Sequence, residues 1–146
     1  MTSPVGGIIK PLSQVDDPVF STNTMGEGVA IIPYEDDIVS PVDGKITCLF
    51  KTKHAIGITT KQGVEILIHI GIDTVRLDGK YFDCFVKQDQ IVNKGDALIH
   101  FDRCKIQEEG LKTDVMLIVT NSEHFEYVSV VAQDHIENKT PVLKVK

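Results

Sequence analysis

The sequence predicts an all-β fold, and two observations carry that prediction. Short runs rich in Val, Ile and Thr recur along the 146 residues, separated by turns that contain Gly, Asp or Asn. No long stretch has apolar residues at the 3.6-residue period of an amphipathic helix. Eight strands are predicted, at residues 28–32, 44–50, 54–60, 64–70, 97–101, 116–119, 127–131 and 141–145. Short helices are predicted at 104–111 and 121–127, each of about two turns at most.

Turn residues mark the borders of most of these elements. Pro-Val-Asp-Gly at 41–44 precedes the second strand, and Lys-Gln-Gly at 61–63 separates the third strand from the fourth. Asp-Gly at 78–79 and Asn-Lys-Gly-Asp at 93–96 bound a region that ends where the fifth strand begins. Each turn supplies a glycine, the residue that most readily adopts the positive φ that tight reversals can require. The last three strands are short apolar runs, and Ser122 can cap the second helix.

Two pairs of segments within the chain have similar sequences. Residues 3–7 and 40–44 share the pattern Ser-Pro-Val-x-Gly, and residues 25–32 resemble residues 92–99. These similarities indicate either duplicated β-units packed face to face or similar turns that recruit similar residues.

Composition excludes several classes of function. With 15 basic and 21 acidic residues the net charge is −6, which argues against a nucleic-acid surface. No apolar run approaches the roughly 20 residues that a membrane-spanning helix needs, and no secretory signal segment follows Met1. Three cysteines without CxxC spacing indicate reduced thiols. We therefore expect one cytoplasmic domain over residues 1–146, with no nucleic-acid partner and no direct membrane insertion.

The densest chemical signal is a predicted hairpin with one histidine on each strand, His54 and His69. A two-residue loop at 61–62 would place His54 opposite His69. A three-residue loop that includes Gly63 would instead place His54 opposite Ile70.

Side-chain packing favours the two-residue loop. Small Ala55 and Gly57 then share a face with larger aliphatic side chains. The opposite face carries both histidines, with Cβ atoms about 5 Å apart. The apolar neighbours predicted on that face are Ile56, Ile58 and Leu67.

Two facing imidazoles in an apolar surround suit phosphoryl transfer. One neutral ring can attack an electrophile while an N–H of the other stabilises the oxyanions. Such a transfer needs in-line positioning and hydrogen-bond donors, and it implies a phosphohistidine. The alternatives are two structural histidines or a zinc site. Zinc normally takes three or four ligands, and no third one lies nearby in the sequence, so no metal site is predicted.

Several segments resemble one protein family. The run at 63–75, GVEILIHIGIDTV, resembles the signature of the glucose-type enzyme IIA components of the bacterial phosphoenolpyruvate-dependent sugar phosphotransferase system. Residues 52–55 resemble the second active-site segment of that family, and residues 30–44 resemble the stretch before it. With Lys-Gly-Asp at 94–96 and Thr-Pro-Val at 140–142, the resemblance covers nearly the whole chain.

The resemblance implies roles for individual residues. The phosphorylated histidine of the family corresponds to His69, which we expect to be modified on Nε2. The partner histidine that steadies the phosphoryl group corresponds to His54, and Thr52 matches the threonine that orients that histidine. Asp73 matches an acidic residue beside the site. The docking surface for partner proteins is expected to include Phe20, Phe50, Ile56, Leu67, Gly71, Asp73 and Val75. For Phe20 and Phe50 the alternative is an ordinary position in the core.

The resemblance also implies a fold and a function. The fold is a compact antiparallel β-sandwich with a Greek-key or jelly-roll-like, internally duplicated motif and at most short helical turns. His69 would take a phosphoryl group from phospho-HPr and pass it to a cysteine of a IIB domain, supporting sugar uptake and phosphorylation. No cofactor is expected. The chain would be free in the cytoplasm or held at the membrane through a permease partner or fusion.

Three other functions make different demands on the sequence. A regulatory docking protein would bind partners through the apolar face around the histidines, with phosphorylation of His69 as the switch. A swinging-arm carrier needs a modified lysine at a hairpin tip, and neither Lys45 nor Lys94 lies in a suitable sequence. A zinc peptidase on a related β-scaffold needs a His-x-His element, which the chain lacks.

Overall fold

Thirteen strands and two short α-helices make up the computed structural model of the protein, which describes residues 1–146. The strands are β1 Gly7–Pro11, β2 Glu27–Pro33, β3 Asp37–Val39, β4 Gly44–Leu49, β5 Ala55–Thr59, β6 Glu65–Ile70, β7 Phe82–Cys84, β8 Ile91–Val92, β9 Ala97–Phe101, β10 Val115–Val119, β11 Val128–Val130, β12 His135–Ile136 and β13 Leu143–Val145. The helices are α1 Pro18–Ser21 and α2 Arg103–Glu108, with 3-10 turns at Leu12–Gln14, Thr74–Leu77 and Ser122–His124. None of these helices has the length and apolar character needed to cross a bilayer.

The predicted all-β class is confirmed, because the helices are short and every strand pairing is antiparallel. All eight predicted strands are present, with ends shifted by two residues or fewer. The predicted helix at 104–111 is α2, whereas the one at 121–127 is only a 3-10 turn. The sequence did not predict β1, β3, β7, β8, β12 or α1, since most of these segments are too short to show a period.

The strands form three sheets. The largest has eight strands in the order β12-β1-β2-β10-β6-β5-β4-β8. A second sheet has the order β3-β9-β7, and β11 pairs with β13 in a third. Because β6 lies between β5 and β10, the strand that carries His69 is held by hydrogen bonds along both edges.

The main core lies between the eight-stranded and three-stranded sheets, which confirms the predicted sandwich. It consists of 23 buried residues. β6 contributes Ile66, Ile68 and Ile70, which are the alternate positions of one face. The three-stranded sheet contributes Ile38, Phe82, Leu98, Ile99 and Phe101.

A second, smaller core covers the other face of the large sheet. The intervening strand positions face this way, including Leu67 of β6 and Met116 of β10. The chain segment before β2 folds over them and adds Leu12, Val15 and Phe20. His69 lies two residues after Leu67 in β6, and residues two apart in a strand share a face. His69 therefore lies on the face that carries the smaller core.

The β5–β6 hairpin differs by one residue from the predicted register. Ala55, not His54, is opposite His69, and the carbonyl of His54 accepts the N–H of Ile70 at 2.7 Å. The loop has three residues because Gly63 adopts φ 86°, the left-handed conformation typical of three-residue hairpin loops.

This shift also corrects the predicted faces. Ile56 and Ile58 lie in the main core with Ile66, while Leu67 alone of the predicted apolar neighbours shares the face of His69. A strand has a side-chain period of two, so a slip of one residue inverts its faces. Side-chain size does not fix the register of this hairpin, because β6 is covered on both faces and carries large side chains on each.

The two Ser-Pro-Val segments have the same local structure. Ser3 Oγ donates to the carbonyl of Val5 at 2.6 Å, and Ser40 Oγ donates to that of Val42 at 2.7 Å. Both serines are fully buried. The two turns thus share one local hydrogen bond, which both duplicated β-units and similar turns would produce.

Candidate active site

His54 and His69 lie in contact on the face of the large sheet that carries the smaller core. Their ring centroids are 4.9 Å apart and the ring planes are inclined by 82°. His69 is half-buried, and His54 is 4% exposed. The structure thus brings together the two histidines that the sequence singled out, although they are not register partners.

A tight turn before β5 produces this contact. The N–H of Lys53 donates to the carbonyl of Phe50 at 2.9 Å, and Lys53 adopts a left-handed φ of 61°. His54 follows this turn and precedes the regular strand. The alternation of side chains between the two faces of β5 therefore does not extend to His54. Its ring lies on the same side as His69 and contacts it.

The tautomer of His69 is set by the backbone two residues later. Nδ1 of His69 lies 2.9 Å from the carbonyl oxygen of Gly71. A carbonyl can only accept, so Nδ1 carries the proton and Nε2 holds the lone pair of the neutral ring. This leaves Nε2 as the nucleophilic atom.

Gly71 can present its carbonyl in this way because it lacks a Cβ. Its φ is 77°, and a Cβ would collide with Cγ2 of Thr74 and come within 2.9 Å of the carbonyl of Lys112. The N–H of Gly71 donates to the carbonyl of Asp114 at 2.7 Å, which ties the loop to the segment before β10.

Thr52 contacts the second histidine. Its Oγ1 lies 2.6 Å from Nδ1 of His54. With the hydroxyl as donor, Nδ1 accepts and the proton of the neutral ring lies on Nε2. His54 can then donate from Nε2 to an anionic group bound beside both rings.

Both histidines are neutral at neutral pH. Burial lowers the pKa of His69 to about 4, and the neighbouring His54 ring acts in the same direction. The bond to Gly71 and the carboxylates of Asp17 and Asp73 only partly oppose these effects. Burial also lowers the pKa of His54. The site therefore combines an unprotonated nucleophile with a neutral hydrogen-bond donor.

Two phenylalanines flank the histidine pair. The ring of Phe20 lies 4.9 Å from that of His69, and the ring of Phe50 lies 5.5 Å from that of His54. These aromatic contacts exclude water from one side of each imidazole, which is consistent with the lowered pKa values.

The residues expected at the docking surface divide into two groups. The exposed ones are Phe50 (39%), Asp73 and Val75 (52%). The prediction is wrong for Ile56, which is 0% exposed and lies in the main core on the opposite face. Phe20, Leu67 and Gly71, also expected at the docking surface, are buried, and for Phe20 this is the alternative of a core position. Leu67 and Phe20 pack together in the smaller core, and Gly71 lies against Thr74 and the carbonyl of Lys112.

Sequence reasoning missed Asp17 and Val19, which the short helix α1 holds near the site. Oδ1 of Asp17 accepts the N–H of Val19 at 3.0 Å and so caps α1. The charge of Asp17 acts on His69, while Val19 is exposed next to Phe20. An aspartate followed by a proline is a typical helix start, and this signal could have identified α1.

The remaining reactive side chains lie outside this cluster. All three cysteines are free, as predicted, and Cys48 and Cys104 are exposed. His100 pairs with Asp37 at 2.8 Å. No group of three or more His, Cys, Asp or Glu side chains is arranged to hold a metal ion.

Comparison with protein families yields a match over most of the chain. The sequence model described as phosphoenolpyruvate-dependent sugar phosphotransferase system, EIIA 1, matches residues 1–125.

Individual proteins are similar over nearly the full chain. The PTS system beta-glucoside-specific EIIBCA component of Bacillus subtilis (strain 168) is 46% identical over 141 residues, which are 97% of this chain and 23% of that protein. The PTS system glucose-specific EIIA component of Bacillus anthracis is 44% identical over 146 residues, 99% of this chain and 88% of that protein. The chain thus spans less than a quarter of the first relative and most of the second.

A solved structure has the same fold. Glucose permease IIA from Mycoplasma capricolum superposes with a TM-score of 0.86 at 39% sequence identity. The superposition covers 97% of this chain and 92% of that chain.

Proposed function

The chain belongs to the EIIA 1 family of the phosphoenolpyruvate-dependent sugar phosphotransferase system, and on that basis we propose that its phosphoryl group is carried by His69. The atom that carries it is Nε2. The chain is a phosphotransferase component, a phosphocarrier of that system. One observation carries the residue assignment: neutral His69 holds its proton on Nδ1 against Gly71 and has its Nε2 lone pair free beside His54.

The acceptance step follows from this geometry. The Nε2 lone pair of His69 attacks the phosphorus of a phosphohistidine on the donor protein. A new N–P bond forms, the old N–P bond breaks, and the donor imidazole leaves with the electron pair. The Nε2–H of His54, oriented by Thr52, donates to a phosphoryl oxygen and offsets the negative charge. The step uses only these side chains, and we propose no cofactor.

The proposed donor is phospho-HPr and the proposed acceptor is a cysteine of a IIB domain. Relatives named EIIBCA and EIICBA components support a IIB partner, because their names join an A part to B and C parts. Exposed Asp73 beside the site and a net charge of −6 favour a basic donor surface.

We further propose that residues 1–146 act as one EIIA domain in the cytoplasm. The domain is either free there or held at the membrane through a permease partner or fusion.

Incubation with phosphoenolpyruvate, enzyme I and HPr tests the assignment. We expect one acid-labile phosphate on the wild-type chain and none on His69→Ala, with exposed His124→Ala as the matched control that keeps the label. A label that persists in His69→Ala contradicts the mechanism. His54→Gln should accept the phosphoryl group but pass it on slowly, and unchanged onward transfer would remove His54 from the site.

A regulatory docking protein is the second candidate function. Exposed Phe50, which packs against His54, supports it, together with exposed Val19 next to Phe20 and exposed Val75 in the loop after β6. Phosphorylation of His69 adds nearly two negative charges to this apolar surface and so opposes docking. His69→Gln should lose transfer and keep docking, whereas a partner with equal affinity for both forms would exclude the switch.

A further inference from the structure

Thr74 is fully buried in the loop after β6, and the steps above do not use it. Its Oγ1 donates to the carbonyl of Ile70, the last residue of β6. Its Cγ2 fills the side of Gly71 where a Cβ would lie. The hydroxyl and the methyl group of Thr74 therefore both contact the backbone between His69 and Gly71, whose carbonyl oxygen lies against Nδ1 of His69.

The direction of that carbonyl depends on one peptide plane. The carbonyl of Gly71 and the N–H of Ile72 belong to the same trans peptide and point in opposite directions. The N–H of Ile72 donates to the carbonyl of Lys112 at 3.1 Å. This bond turns the Gly71 carbonyl back toward Nδ1 of His69.

The loop after β6 is held in two ways. The N–H groups of Gly71 and Ile72 bond to the segment before β10, and the hydroxyl of Thr74 bonds to the carbonyl of Ile70. Without the hydroxyl, the buried carbonyl of Ile70 loses its side-chain donor. An unsatisfied buried carbonyl is unfavourable, so the loop would rearrange to expose it or find another donor. The Ile70 carbonyl belongs to the peptide plane that joins Ile70 to Gly71. Turning that plane changes φ of Gly71 and so the direction of the Gly71 carbonyl, and glycine permits this because it tolerates most backbone angles.

We propose that Thr74 is a positioning residue for phosphoryl transfer, because it holds the Gly71 carbonyl on Nδ1 of His69 and so keeps the lone pair on Nε2. The inference rests on the proposed role of His69. Thr74 lies between exposed Asp73 and Val75, so the loop that sets the tautomer also faces partner proteins.

The test compares Thr74→Val, which removes the hydroxyl at nearly constant shape, with Thr74→Ser, which keeps it. Imidazole ¹⁵N NMR of His69 reports the tautomer without any phosphorylation. We expect the Nδ1–H form in the wild type and in Thr74→Ser, and a mixture with the Nε2–H form in Thr74→Val. Phosphoryl acceptance from phospho-HPr should fall roughly tenfold in Thr74→Val, by analogy with the loss of a group that orients a metal-bound histidine.

Thr2→Val is the matched control, because Thr2 is also buried and its Oγ1 donates to a carbonyl, that of Pro41 at 3.3 Å. It should lose stability but keep both the tautomer and the rate. Should Thr74→Val not fold, Thr74→Ala takes its place with the same expected signals.

The outcomes separate this proposal from the proposed function. A Thr74→Val protein with the wild-type tautomer overturns the positioning role whatever its rate, and so does a changed tautomer with an unchanged rate. Absence of phosphate on wild-type His69 would overturn the proposed function, while the tautomer measurement would still be valid on the unphosphorylated protein.

Discussion

At the scale of single residues, the site depends on a histidine that is kept neutral. His69 lies in an apolar face next to Phe20 and His54, where a charged imidazole loses hydration. Its pKa of about 4 means that the ring does not compete for protons at neutral pH. This lowered pKa reduces the stability of the fold only in acid, where the unfolded ring binds a proton more readily. The environment of His69 can therefore be tested by the pH dependence of stability.

The free energy of unfolding should fall between pH 6.5 and 4 through His69. The unfolded ring binds a proton near pH 6.5 and the folded ring only near pH 4, so acid favours the unfolded state in this interval. The full effect is on the order of 3 kcal/mol. Urea unfolding at several pH values should show a smaller loss for His69→Gln than for the wild type.

His100→Gln is a control of opposite sign. The hydrogen bond that Nδ1–H of His100 donates to the carboxylate of Asp37 raises the pKa of His100, so this group stabilises the fold below pH 6.5 and loses that effect as pH rises through the raised pKa. His100→Gln should therefore lose more stability in acid than the wild type. Equal slopes for His69→Gln and the wild type would contradict the assigned environment of His69.

At the scale of elements, the hairpin loop decides which side chains share the face of His69. Gly63 takes the left-handed position of a three-residue loop, and Thr60 pairs with Val64 across it at 3.0 Å. A two-residue loop would bring Ile56 and Ile58 to the histidine face and remove them from the core. The loop conformation and the core packing therefore support the same register.

Gly63→Ala should destabilise the protein by about 1 kcal/mol, because a side chain at positive φ is strained. No atom lies within 4 Å of the added Cβ, so a steric clash does not contribute. Denaturant unfolding measures the loss, and Gly63→Asn is the control that should lose less. Phosphoryl acceptance should be unchanged, and a loss well above this value would indicate a different loop.

At the scale of the whole molecule, the large sheet has two faces with different tasks. One face packs against the three-stranded sheet and forms the main core. The other carries the smaller core, the histidine pair and exposed apolar side chains at its rim. Stability and docking are therefore expected to respond to different substitutions.

Ile56→Ala and Val75→Ala test this separation. Ile56→Ala leaves a cavity in the main core and should cost about 2–5 kcal/mol of unfolding free energy, measured by denaturant titration. Val75→Ala is exposed and should change stability by less than about 0.5 kcal/mol.

Partner binding should show the reverse order. The apparent KM for phospho-HPr should rise in Val75→Ala and remain near the wild-type value in Ile56→Ala while that variant is folded. A KM increase confined to Ile56→Ala would contradict the placement of the docking surface.

The sequence by itself determined the β class, eight strands and the histidine pair. Strand runs and turn glycines are local signals, so they predict elements without knowledge of their neighbours. The family resemblance added Thr52 and the different roles of His54 and His69. The structure places Thr52 2.6 Å from His54, a contact expected of an orienting residue.

Only the tertiary structure decided the hairpin register, the burial of Ile56 and Phe20, and the contact of His69 with Gly71. Each depends on segments far apart in the sequence. β10 lies against β6, the segment before β2 covers the second face, and the chain before β10 holds the loop after His69. A period-two pattern shows that alternate residues share a face, but which face meets which core depends on these distant partners.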